Sequence, residues 1–119
     1  EEKYGAELYV TSIDGKYARI YPLSEWEEIE SKLLEPPKML AKEKFLRNTS
    51  YYGQMVNMDR QGRVLIPPHL RERAEITNGV AVMGSLTYLT LWNRKRFESE
   101  LDEKPFTQED EIALADLGL

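Results

Sequence analysis

Hydrophobic positions change their period along the chain, and the changes mark out its elements. Residues 7–13 and 16–21 have the apolar, β-branched and aromatic content of two short strands (Leu8, Tyr9 and Val10, then Tyr17, Ile20 and Tyr21). Asp14-Gly15 lies between them, a dipeptide that favours a tight hairpin turn because both residues tolerate positive φ. Pro22 ends the second strand, and from there the period lengthens. Trp26, Ile29 and Leu33 line one face of a helix, with Ser24 as the predicted cap and Glu27 completing a capping box. Pro36-Pro37 closes that helix. A second follows over 38–50, with Met39, Leu40, Phe45 and Leu46 available for packing and Lys38, Lys42, Lys44 and Arg47 turned outward.

The second half alternates again. Met55 to Met58 reads as a strand, 59–62 as a turn and 63–66 as a returning strand. Pro67-Pro68 opens a short helix running to Arg73, since proline fits a first helical turn, where its missing N–H costs little. Asn78-Gly79 predicts a further turn, Val80–Met83 and Thr87–Trp92 a second hairpin, and Asn93 the cap of a helix reaching Leu101. Thr107, with Asp110 three residues on, starts a last helix carrying Ile112, Leu114, Ala115 and Leu117. Strands and helices mixed in this way predict an α+β fold.

The two hairpins also resemble each other. Leu8-Tyr9-Val10 aligns with Val80-Ala81-Val82, Tyr17-Ala18-Arg19-Ile20-Tyr21 with Tyr88-Leu89-Thr90-Leu91-Trp92, and Trp26 with Phe97, at an offset of 71 or 72 residues. The strand–turn–strand at 55–66 precedes the second hairpin by about twenty residues, so its first-copy counterpart is expected to lie before residue 1. The expected organisation is a remnant of a first repeat over 1–37 and a linking helix over 38–53. A second, motif-bearing repeat over 54–101 and an acidic helix over 102–119 follow, all in one compact domain.

Charge sharpens this picture. The chain of 119 residues has a formal net charge of −5, unequally distributed. Residues 1–37 sum to −5, residues 38–97 to +7 and residues 98–119 to −7. Local field, not total charge, decides where a polyanion docks. There is no cysteine, which excludes disulfides, thiolate metal sites and cysteine nucleophiles. The single histidine, His69, follows two prolines and is expected at a surface or boundary. No serine has a patterned histidine base, and Glu27, Glu28 and Glu30 form a helix surface, not an acid/base pair. No GxGxxG or P-loop motif occurs. An enzyme is therefore not expected, nor a cofactor, a metal site, a small-molecule substrate or a membrane partner; the default location is the cytoplasm.

Asp59-Arg60-Gln61-Gly62-Arg63-Val64-Leu65-Ile66-Pro67 carries the candidate chemistry. A polar, basic, glycine-containing turn between two apolar runs can hold arginines out on a rigid tip, which suits a DNA groove better than catalysis. The Asp59 carboxylate can accept backbone N–H groups from further into the loop and fix its shape, and Gly62 can take a positive φ. Arg63 can pair with Asp59 or reach outward. An arginine that reads guanine does so through two parallel hydrogen bonds to O6 and N7. Arg60 and Gln61 sit at the tip as candidates for phosphate or base contact, with Arg60 more a phosphate contact or a solvated group than a base reader. The bland alternative is that Asp59 and Arg63 form a turn lock and nothing more; Arg63 can serve both ends. Arg71 and Arg73 could touch a phosphate or pair with Glu72, Glu75 or a neighbouring subunit. Arg94, Lys95 and Arg96 suit a solvated helix face or an inter-subunit contact.

With the motif and the repeat in hand, the chain resembles the MraZ family of bacterial transcriptional regulators, relatives of the AbrB-type swapped-hairpin DNA-binding proteins. The resemblance runs from about Gly5 to the C-terminus and rests on Asp59-x-x-x-Arg63 in its nine-residue context, on Ile20-Tyr21-Pro22-Leu23-Ser24-Glu25-Trp26 and on Leu91-Trp92-Asn93. Family members carry two DxxxR motifs, and one is present here. The resemblance implies a β-rich double-split barrel with flanking helices, built from two pseudo-repeats of which the first is incomplete. It further implies a ring-like homo-oligomer on double-stranded DNA in the nucleoid, bound at G-rich direct repeats upstream of a division and cell-wall gene cluster. Two functions follow from it: a sequence-specific DNA-binding regulator, or an oligomerisation and protein-interaction module of the same fold without DNA binding, motivated by the missing first motif. The acidic tail after Glu98 has two readings of its own, a solvated helix that keeps the assembly soluble or a competitor with DNA for the basic face.

Overall fold

The computed structural model describes residues 7–77 and 79–119. Five strands form one antiparallel sheet in the order β3-β1-β2-β5-β4, where β1 is Glu7–Thr11, β2 Ala18–Pro22, β3 Gln54–Asn57, β4 Val80–Ser85 and β5 Tyr88–Asn93. The helices are α1 (Leu23–Leu34), α2 (Leu40–Tyr52), α3 (Pro68–Arg73), α4 (Arg94–Glu103) and α5 (Gln108–Ala113), and a 3-10 turn follows at Ala115–Leu117. The α+β class read from the sequence is the one observed. Among the described residues no helix is long and apolar enough to cross a membrane.

The central strands of the sheet pack a different chemistry on each face, because successive residues of a strand point to opposite sides. Val10 and Ala18 are fully buried against Leu70 and Ala74 of the α3 segment, joined by Ile66, Ile76 and Tyr52. Ile20, Val56, Val64, Val80 and Leu91 close around this cluster. The opposite face is aromatic. Trp26 of α1 stacks on Tyr9 at 4.6 Å between centroids, meets Tyr21 at 5.2 Å and faces Phe45 of α2 at 6.2 Å. Helix α2 is tied to β1 through one carbonyl: that of Thr49 accepts from the Tyr9 hydroxyl at 3.0 Å and from the Thr11 hydroxyl at 2.7 Å.

The two hairpins join through β2 and β5, with Ala18 opposite Leu91, Arg19 opposite Thr90 and Ile20 opposite Leu89. Arg19 and Thr90 are also partners in the 71-residue alignment, so an approximate two-fold axis passes between them. Contacts repeat around it. Tyr17 stacks on Trp92 at 4.3 Å as Tyr88 meets Tyr21 at 4.8 Å, and Trp92 meets Phe97 at 5.5 Å as Tyr21 meets Trp26.

Four local expectations need correction. Residues 63–66 form no strand, because no ladder partner lies beside them among the described residues; Ile66 and Val64 instead pack onto the core. The Ser24–Glu27 capping box is absent: α1 begins at Leu23 with Pro22 at its N-cap and no side-chain cap bond, so Ser24 already lies inside the first turn. Asp14-Gly15 does not form a two-residue turn. The connection spans 12–17 and is shaped by Ser12, whose hydroxyl accepts from the Gly15 N–H at 2.8 Å, and by Asp14, which accepts from Lys16 N–H at 2.9 Å. The last helix is shorter than its apolar pattern suggests, since α5 ends at Ala113 and the chain tightens into the 3-10 turn. The predicted turn at Asn78-Gly79 falls partly outside the described residues, and Gly79 takes a φ of +69°. Two caps form as the sequence predicts: Asn93 accepts from the Arg96 N–H at 3.0 Å, and Thr107 and Asp110 make a reciprocal capping box.

Candidate nucleic-acid interface

The turn between β3 and the 63–67 segment is organised by one carboxylate. Two backbone bonds define its ends: Asp59 N–H donates to the Arg63 carbonyl at 3.0 Å, and Gly62 N–H to the Asp59 carbonyl at 3.0 Å. Inside it, Oδ1 of Asp59 accepts from the Gln61 N–H at 2.9 Å and the Arg63 N–H at 2.7 Å. Its other oxygen, Oδ2, accepts from Nε of Arg63 at 2.7 Å. Gly62 sits at φ +78°, a value that costs an L-residue energy through its Cβ, and a methyl placed there would meet nothing within 4 Å. Conformation, not space, demands glycine at this position.

The electrostatics follow from that geometry. The Arg63 N–H, then its guanidinium, hold the Asp59 carboxyl below the usual carboxylate range, so it stays charged at neutral pH. Arg63 is anchored yet outward: its side chain is 75 % exposed although Nε is engaged by Asp59 and Nη2 donates to Gln61 Oε1 at 3.2 Å. Nη1 and the second hydrogen of Nη2 remain for another acceptor. Arg60 is exposed at the tip and pairs with no carboxylate among the described residues. Arg60, Gln61 and Arg63 are thus all exposed on one turn, with Asp59 and Gly62 setting its shape.

Other basic residues lie away from this tip or are committed elsewhere. Glu75 pairs with Arg96 at 3.3 Å, not with Arg71 or Arg73, and Arg96 also donates to the Arg73 carbonyl at 3.5 Å. Arg94 donates to the Val80 carbonyl at 3.4 Å. His69 lies at the surface, where a ring nitrogen donates to the Tyr51 carbonyl at 2.9 Å and the ring stacks on Tyr52. Behind the turn, Met58, Gly62 and Val64 line an apolar cleft together with Leu8, Leu86 and Leu89.

Arg19 is a structural residue the sequence reading passed over. It lies half-buried at the centre of the sheet, donating through Nε and Nη2 to the Tyr17 hydroxyl and through Nη1 to that of Tyr21 at 3.0 Å, with its guanidinium carbon 4.9 Å from the Tyr88 ring centre. Burial alone would make it easier to deprotonate, but the two phenol oxygens outweigh that and raise its affinity for the proton. The Tyr17-x-Arg19-x-Tyr21 alternation was the available signal, since period two places all three on one face.

Comparison with known proteins places this sequence in a family. Residues 53–117, which contain the whole turn, match the sequence model described as "MraZ protein, putative antitoxin-like". A protein of Acidobacterium capsulatum called "Transcriptional regulator MraZ" is 52% identical over 120 residues, covering 100% of this chain and 82% of that protein. Its namesake in Koribacter versatilis is 51% identical over 113 residues, covering 94% of this chain and 77% of the relative. In Thiobacillus denitrificans a protein of the same name is 36% identical over 104 residues, with 86% and 70% covered. The family match over the turn and the high identity along the full length together establish that this chain belongs to the MraZ family.

Proposed function

We propose that this protein is a sequence-specific DNA-binding transcriptional regulator of a bacterial cell-division and cell-wall gene cluster. It acts in the cytoplasm at the nucleoid and binds G-rich direct repeats as a ring-like oligomer. In this reading Arg63 reads guanine, Arg60 and Gln61 contact phosphate or base, and Asp59 and Gly62 hold the turn. Residues 54–101 form the motif-bearing unit of a swapped-hairpin fold, joined through the 38–53 helix and followed by the acidic 102–119 segment. The single observation that carries the proposal is the Asp59–Arg63 arrangement: a carboxylate grips Nε and leaves the far edge of an exposed guanidinium free, which prepares an arginine for a two-point acceptor. Family membership and the printed name of the relatives support it.

A second reading is an assembly module of the same fold without DNA binding. The apolar cleft behind the turn favours it, because Leu86 and Leu89 are exposed there. One binding experiment separates the two. A G-rich direct-repeat duplex titrated with the protein is expected to bind with a steep salt dependence, and Arg63→Ala is expected to lose about 1–3 kcal/mol of preference for the G-rich sequence. Equal binding of a scrambled duplex, or an unaltered preference in Arg63→Ala, would overturn the regulator reading.

A further inference from the structure

Each side-chain acceptor oxygen on the 59–63 turn already takes a bond from within the turn. Oδ1 of Asp59 takes the N–H groups of Gln61 and Arg63, and Oδ2 takes Nε of Arg63. The third, Oε1 of Gln61, takes Nη2 of Arg63 at 3.2 Å. That last bond fixes which way the Gln61 amide is turned. A guanidinium has donors and no acceptor, so only the oxygen of the amide can face it. The Gln61 amide nitrogen keeps both hydrogens, and neither has a partner among the described residues.

The exposed side chains of the turn therefore only donate: Arg63 through Nη1 and one hydrogen of Nη2, Gln61 through its amide nitrogen, and Arg60 through its guanidinium. The four bases answer such a surface differently in the major groove. Guanine shows two acceptors, O6 and N7. Adenine sets the N6 donor beside its N7 acceptor, cytosine shows the N4 donor, and thymine one acceptor beside a methyl group. Donors alone match guanine twice and meet a like group on adenine and on cytosine. An unrestrained glutamine reads adenine, giving a hydrogen to N7 and accepting one from N6. Gln61 has no oxygen to spare for N6 while Arg63 holds it.

We propose that Gln61 is a specificity-determining residue that reads a second guanine, next to the one read by Arg63, because Arg63 occupies its acceptor. The two side chains are in hydrogen-bond contact, so their donors serve adjacent base pairs, about 3.4 Å apart along the duplex. The unit read is then a step of two guanines, and the identity of the second base depends on a bond inside the protein. This rests on the base-reading role of Arg63 in the proposed function and deepens it. A glutamine that merely braced Arg63 would affect one base only, and one that met a phosphate would affect all sequences alike.

Fluorescence anisotropy tests it with the full chain and a G-rich direct-repeat duplex. In companion duplexes one guanine at a time, in every repeat, becomes adenine, cytosine or thymine, all at one salt concentration. Replacing either of two adjacent guanines is expected to weaken wild-type binding roughly tenfold. Gln61→Ala is expected to abolish the preference at one of the two and to keep it at the other. Gln61→Glu offers acceptors only, so the preference at that base should pass to cytosine, whose N4 donates. Arg63→Ala should abolish the preference at its own base and, by releasing the Gln61 oxygen, turn the neighbour's preference from guanine to adenine. An unaltered profile in Gln61→Ala, a loss spread evenly over all duplexes, a loss only at the base that Arg63 reads, or a guanine preference kept at the neighbour in Arg63→Ala would each overturn the inference. Those results, with wild-type preference for the G-rich duplex intact, leave the regulator reading standing. A wild-type chain that binds a scrambled duplex equally well overturns both.

Discussion

Glycine is required at Gly53 and Gly62 for opposite reasons, and single methyl groups separate them. At Gly53 the backbone is ordinary, but a Cβ would overlap the Tyr9 hydroxyl and the Thr49 carbonyl, the joint between α2 and β1. Gly53→Ala is therefore expected to lower global stability by about 1–3 kcal/mol, the usual cost of forcing atoms into a packed site, measured as the shift in a urea midpoint. Gly62→Ala meets open space and pays only for its left-handed backbone, about 1–2 kcal/mol expressed locally. Its urea midpoint should move less than that of Gly53→Ala while DNA affinity falls. The same turn has a defined pH response. The Asp59 carboxyl is depressed in the folded chain, first by the Arg63 N–H and then by its guanidinium. The order this confers is present in full above the ordinary aspartate value of about 3.9 and is lost as pH falls through the lower folded value. Amide resonances of Gln61 and Arg63 followed by NMR should stay unchanged from neutrality to about pH 5 and shift together only in stronger acid. A transition near neutrality would contradict the assignment.

At the level of elements, the junction of β2 and β5 depends on a cation where a sheet centre ordinarily holds an apolar residue. Arg19 satisfies two phenol hydroxyls and lies against the Tyr88 ring, so it fastens both hairpins from the aromatic face. Arg19→Ala leaves those hydroxyls without their donor and is expected to cost about 1–3 kcal/mol. Arg19→Lys keeps the charge but lacks the planar fork that spans both oxygens, so it should fall between the two. Chemical denaturation of the three proteins checks the order, and a lysine variant as stable as wild type would refute the bridging role. The neighbouring elements show how far local signals reach. The Thr107–Asp110 box and the Asn93 cap form from side chains within three residues of their targets, and the sequence announces both. Ser24 and Glu27 have the same spacing but no box, because Pro22 already occupies the cap and the helix begins one residue ahead of the serine.

For the whole molecule, the proposed function makes the number of turns presented together the determinant of affinity. One turn offers Arg60, Gln61 and Arg63, too few groups for tight specific binding, whereas several turns in an assembly of the proposed kind would raise the effective concentration at tandem boxes. A dissociated variant with an intact turn is expected to bind a direct-repeat probe roughly 100-fold more weakly than the assembly, within the usual range for avidity, while binding a single box equally. Gel shifts with one-box and two-box probes measure this, and undiminished two-box affinity in a dissociated protein would contradict it. Charge is arranged to match: the block over 38–97 sums to +7 between flanks of −5 and −7, so the molecule is acidic in total while the segment that carries the turn is basic.

The sequence alone determined what depends on near neighbours and on periodicity. It specified the α+β class, the two hairpins with their 71-residue correspondence, the turn at 59–62 and the caps at Asn93 and Thr107, because each is encoded by residues a few positions apart or by an unbroken period. Tertiary structure decided what depends on distant partners. Residues 63–66 have the composition of a strand, but a strand requires a ladder; Val64 and Ile66 pack onto the core instead, while Leu65 stays exposed. It also decided that Glu75 pairs with Arg96 and not with Arg71 or Arg73, and that Arg63 is gripped at Nε while its outer edge stays free. Pattern names the groups able to pair; only the folded distances between them select which pairs form.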